Sequence, residues 1–148
     1  PYEQFLPMAW RSLAARRLMP AFADIAHGLV TCPRGWADVV ADLVQVLHPA
    51  ETLILSAPMQ AFPAVGATLP DTALAMVQRL YRLSVNLPPR QMARLAEVHR
   101  RLPQPEPIAA FSAVQTAALR ARYAADLARL ATMPGLWIEE PARQQAAA

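Results

Sequence analysis

Lysine does not occur in this chain, cysteine occurs once and glycine four times in 148 residues. All fourteen basic residues are therefore arginine. A coding bias toward GC explains that; selection for planar, bidentate contacts is the sharper reading, and neither names a ligand. A single cysteine, Cys32 in "LVTCPRGW", makes no internal disulfide, which excludes a disulfide framework and favours a reducing compartment. Its nearest histidine in sequence, His27, is five residues away, and nothing else marks it as a nucleophile. Glycines at 28, 35, 66 and 135 are too scattered for a phosphate cradle or a nucleophile elbow.

Charge is also scarce. Charged residues make up 17% of the chain against roughly 25% in ordinary soluble domains. The net charge of +3 falls well short of the dense basic patches of a duplex binder, so DNA is disfavoured. Arg16–Arg17 and Arg100–Arg101 are the only basic doublets, and each reads first as a solvated helix face. His27, His48 and His99 stand in separate segments without metal-ligand spacing, and Glu97 and His99, two apart on a helix, point to different faces. Asp38 and Asp42 fall on a polar face, and Glu139 and Glu140 in a terminal tail. No catalytic, cofactor or metal site is expected from these residues, and the chain reads as a non-enzyme.

What the chain has in excess is apolar side chain. The hydrophobic fraction is 55%, with mean hydropathy +0.19, more than one small core consumes. Much of it is alanine, which favours helix and close helix packing. Trp36, Val39, Val40, Leu43, Val44 and Leu47 share one arc opposite Asp38, Asp42 and Gln45, which predicts an amphipathic helix. From Asp71 to Val85, Leu74, Val77, Leu80, Tyr81 and Ser84 line one side, with Gln78, Arg79 and Arg82 on the wet one. Thr68 suits a capping role ahead of it. Pro88 and Pro89 open a helix whose stripe is Met92, Leu95, His99 and Leu102. The longest helix is expected from Ile108 to Thr132, ended by Pro134 and Gly135. Upstream, Phe5 to Leu18 and Pro20 to Val30 read as two more helices.

No segment alternates with period two. "TLIL" alone suits a strand, and a lone strand has nothing to pair with. The fold class is therefore all-α, either an irregular helical bundle or a short α-solenoid of helical hairpins. Residues 1–132 form the single helical domain and 133–148 a C-terminal tail. Helix breaks are expected near Pro20, Pro33, Pro70, Pro88 and Pro105, and the core should include Trp36, Val40, Leu43, Val77, Leu80, Leu95 and Phe111.

Residues 52–70 carry no charge. That is about the length of a membrane span, but Pro58, Pro63, Gln60 and Gly66 argue against one. A proline-broken pair of short helices is the expectation. Met59, Phe62 and Val65 are the residues expected to meet a partner chain, because Met and Phe concentrate in interface cores. The chain opens at Pro1 without methionine, which reads as a processed or trimmed start, and 10–22 has the Arg-rich, acid-free composition of an organellar presequence, with Glu3 and Asp24 against it.

Pro33, Pro70 and Pro107 are spaced 37 residues apart, each ahead of an amphipathic helix, and in that register Val40, Val77 and Val114 coincide. The spacing and proline punctuation over residues 33–131 resemble degenerate helical-hairpin repeats of the heptatricopeptide or octatricopeptide kind. The resemblance implies single-stranded RNA as a ligand in an organellar ribonucleoprotein. Arg90, Arg94 and Arg101 would be the phosphate contacts. The tetratricopeptide Trp/Gly/Tyr pattern is absent. The leading expectation is a scaffold or interaction subunit of a larger protein assembly, in the cytoplasm or mitochondrial matrix, and the alternative is the RNA-binding repeat module.

Overall fold

The computed structural model describes residues 1–55, 69–103 and 106–139. In chain order the elements are α1 (Tyr2–Ala14), α2 (Phe22–Thr31), α3 (Trp36–Leu47), β1 (Thr52–Leu55), α4 (Asp71–Arg82), α5 (Pro89–Arg100), α6 (Ala113–Ala131) and β2 (Leu136–Glu139). The protein is mostly helical, as its composition requires. Whether the expected break near Pro105 and the cap at Thr68 hold lies outside the described residues.

The helix boundaries follow local chemistry. Ser112 caps α6, its hydroxyl accepting from the Gln115 N–H at 3.2 Å while the Gln115 side chain accepts from the Ser112 N–H at 2.9 Å. That reciprocal cap starts α6 at Ala113, later than the expected Ile108, because Pro107 and the residues after it never supply the first turn. Pro88 and Pro89 open α5 as expected. Helix α4 stops earlier than Val85: Ser84 takes the left-handed conformation (φ 59°), and the Val85 N–H folds back to the Leu80 carbonyl at 2.9 Å.

The core lies among α1, α2, α4 and α5. Trp10, Ala14, Phe22, Ala26, Leu69, Ala73, Leu74, Ala96 and Ala109 are buried together. Edge-to-face contacts join Trp10 to Phe22 (5.8 Å) and Phe22 to Phe111 (5.0 Å), an arrangement that aromatic quadrupoles favour. The Trp10 indole N–H donates to the Pro20 carbonyl at 3.1 Å, which fixes the turn between α1 and α2. Of the expected core, Val77 is buried; Trp36, Val40, Leu80, Leu95 and Phe111 are half-buried, and Leu43 is exposed.

Three expectations are corrected. Gln78 is buried instead of wet: its amide donates to the carbonyls of Ala14 and Arg17, and its oxygen accepts from the Met19 N–H at 2.9 Å. It thereby satisfies the end of α1, whose last carbonyls have no partner within the helix. "TLIL" does form a strand, and it has a partner. Thr52–Leu55 pairs in parallel with Leu136–Glu139, Thr52 opposite Leu136 and Leu53 opposite Trp137. The segment after residue 132 thus contributes a strand, which its short, Pro-Gly-preceded sequence did not advertise.

The proline spacing has a mixed structural counterpart. Pro33 and Pro70 stand just ahead of α3 and α4, whereas Pro107 precedes α6 by a longer stretch. Helix α4 is followed by α5, which packs on it, while α3 is followed by β1.

Candidate functional site

Helix α3 is held by its N-terminus and one flank. The buried carboxylate of Asp126 on α6 accepts from the Trp36 backbone N–H at 2.8 Å and from the Tyr2 hydroxyl. Tyr2 stacks on Trp36 with ring centroids 5.9 Å apart, and the Arg122 guanidinium lies 5.0 Å over the Tyr2 ring. Burial, reinforced by the hydrogen bond to Asp126, pushes the Tyr2 phenol up to about 12. Gly35 completes the junction, since a Cβ there would collide with the Asp126 carboxylate. Asp38 accepts from the Gly35 N–H at 2.8 Å and pairs with Arg129 at 2.7 Å. Those contacts, the Gly35 N–H first, hold its carboxyl below the usual aspartate value.

Anchored in this way, α3 packs on α6. Ala37 is fully buried, and Val40 and Val44 are half-buried. The other half of the apolar arc has no cover among the described residues. Val39, Leu43, Val46 and Leu47 are 38%, 53%, 73% and 68% exposed. Their spacing places them along one line of the helix surface. In this helix only Asp38, Asp42 and Gln45 are polar, so the apolar arc is wider than a single helix contact covers. That excess width was the signal available in the sequence; the expected core instead took in Leu43, which is exposed.

Met59, Phe62 and Val65 lie outside the described residues. Arg90 and Arg94 on α5 and Arg101 just past its end are exposed, and their spacing puts them on one line with Glu97 between. Glu97 pairs with Arg100 at 2.6 Å and with Arg101 at 3.3 Å, whereas no described carboxylate pairs with Arg90 or Arg94. No Phe, Tyr or Trp occurs in α5, so base stacking there would fall to His99 and the arginine planes themselves.

A groove of about 470 Å³ runs between the Pro20 turn and α4, floored by Trp10, Phe22, Ala75 and Ile108, with Arg79 and Arg82 its charged lining among the described residues. It brings together no acid, base and nucleophile. Among the described residues no three His, Cys, Asp or Glu side chains are grouped to hold a metal ion, and no helix is long and apolar enough to cross a membrane. Cys32 is exposed, with its thiol against the Arg34 carbonyl at 3.7 Å. No family model, no curated protein and no solved structure matches this chain.

Proposed function

We propose that this protein is a non-enzymatic helical interaction subunit of a larger protein assembly, and that a partner protein docks on the bare stripe of α3. One observation carries the reading: Val39, Leu43, Val46 and Leu47 are exposed in line on a helix whose other flank and N-terminus are firmly fixed. A rigid apolar stripe of this kind is what another helix packs against, because its apolar area leaves water at little cost in chain ordering. Twelve residues of helix extend about 18 Å. A stable interface removes roughly 800 Å² from each side, so the partner must reach beyond α3. Met59, Phe62 and Val65 are the second proposed contact.

The test is purification of the tagged chain from its native cells, wild type beside a Leu43→Glu, Val46→Glu variant, with native mass spectrometry of both. A partner at fixed stoichiometry on the wild type and absent from an equally stable variant supports the reading. No partner on the wild type overturns it, as does a variant that loses its fold, since the stripe would then be internal.

The RNA reading has one observation in its favour, the alignment of Arg90 and Arg94 on α5 with Arg101 just past its end, two of the three free of described carboxylates. The succession of α4 and α5 is likewise what a helical-hairpin repeat would contain. If these arginines neutralise phosphates, affinity for single-stranded RNA falls with salt, and changing all three to Gln flattens that slope. An unchanged slope disposes of the reading.

A further inference from the structure

The groove beside α4 shares no residue with the α3 stripe. Its α4 wall is Ala75, Gln78, Arg79 and Arg82, spaced as one stripe of a helix. Through Ala75, Arg79 and Ile108 it runs on into a hollow of about 390 Å³ beside Thr72 and Met76. Through Met19, Ala21 and Arg82 it opens into another of about 470 Å³ beside Leu18. The three form one trough along α4 from Thr72 to Arg82, about 15 Å of helix.

The trough is apolar along its floor and charged unequally at its ends. On the floor, the Gln78 amide and oxygen are committed to the end of α1, and the Trp10 N–H to the Pro20 carbonyl. Arg79 midway and Arg82 toward Leu18 are exposed, one helical turn apart and paired with no described carboxylate. Arg16 and Arg17, exposed and likewise unpaired among the described residues, directly precede Leu18. Against these four arginines stands one acid lining that end, Asp24. At the Thr72 end lie Glu106 and Asp71, the latter held by Arg11.

We propose that this trough binds a single-chain anionic amphiphile, its head held by Arg79 and Arg82 and its alkyl chain lying over Trp10, Phe22 and Ile108 toward Met76. The occupant follows from charge complementarity and from what the floor withholds. Two guanidiniums without an internal acid match one anionic head. A floor whose polar groups are already satisfied requires a body without donors or acceptors, because each would give up its water unpaired. Glu106 and Asp71 repel a second negative charge, which leaves a plain alkyl end at the far side. The volume is that of small-molecule sites. An extended peptide would bring a row of backbone groups that the floor cannot answer, and a bilayer surface keeps its chains out of a recess. The site does not rest on the docking of a partner at α3.

Dodecanoate and dodecyl phosphate, titrated calorimetrically into the full chain below micelle formation, should each saturate a single site, the tighter of the two naming the head. Decanoate should bind more weakly than dodecanoate by roughly two- to fourfold per methylene removed. Dodecanol, without the charge, should bind about tenfold more weakly or worse. Arg79→Gln together with Arg82→Gln should cost a similar factor, whereas Arg90→Gln with Arg94→Gln, off the trough, should change nothing. Ala75→Trp puts an indole into the trough from an exposed helix position and should abolish binding with helicity unchanged by circular dichroism; it decides the matter should the Arg79, Arg82 variant fail to fold. Absence of a saturable site, affinity untouched by Ala75→Trp, dodecanol binding as tightly as dodecanoate, or binding only to phosphatidylglycerol vesicles would each overturn the proposal.

Discussion

Asp126 caps a helix that begins 90 residues before it: its carboxylate, carried on α6, accepts from the backbone N–H of Trp36 at the first turn of α3. A negative charge there satisfies an orphan donor and faces the positive end of the helix dipole. The same carboxylate holds the Tyr2 hydroxyl, so α1, α3 and α6 meet at one buried polar point.

Asp126→Ala should therefore cost about 2–3 kcal/mol, since it leaves buried donors on Trp36 and Tyr2 without an acceptor. Gly35→Ala should destabilise too, because its new methyl meets the carboxylate where nothing can yield without breaking the cap. Chemical denaturation of both variants checks this; a neutral Asp126→Ala would show that the junction does not organise α3.

Tyr2 supplies a pH signature. Its phenol is pushed up to about 12 from 10.0, so the folded state favours the protonated form. That contribution is complete below the ordinary value and disappears as pH rises through 10 toward 12. Thermal melts across this range should show a loss of stability that Tyr2→Phe removes, with a late phenol transition at 295 nm that the same change deletes.

Two leucines separate core from stripe. Leu74 is fully buried, and Leu74→Ala should cost about 2–5 kcal/mol. Leu43 is 53% exposed, and Leu43→Ala in the isolated chain should change stability by less than about 0.5 kcal/mol. Equal losses in urea titrations would mean that the α3 stripe is covered within the chain.

Ser84 ends α4 in the left-handed conformation, at φ 59°, where a side chain is strained. Ser84→Gly should stabilise the protein by roughly 0.5–1 kcal/mol, with the turn to α5 preserved. A loss on the same substitution would mean that the Ser84 side chain contributes more than its strain costs.

The local elements were legible because their signals are local. Pro88 and Pro89 fixed the start of α5, Asp71 and the Leu74–Val77 spacing fixed α4, and the periodicity of 36–47 fixed α3. Nothing in the helical period of 71–82 distinguishes a wet Gln78 from a buried one. Its position became clear only when α4 was laid against the unpaired carbonyls that end α1. Pairing of "TLIL" with "LWIE" was likewise invisible, because a parallel partner need share no turn or sequence neighbourhood with it. The tertiary structure also decided which half of the α3 arc is core. Composition dictates that an arc so wide is apolar, but α6 is one helix and covers one flank, so packing geometry alone left Leu43, Val46 and Leu47 facing water.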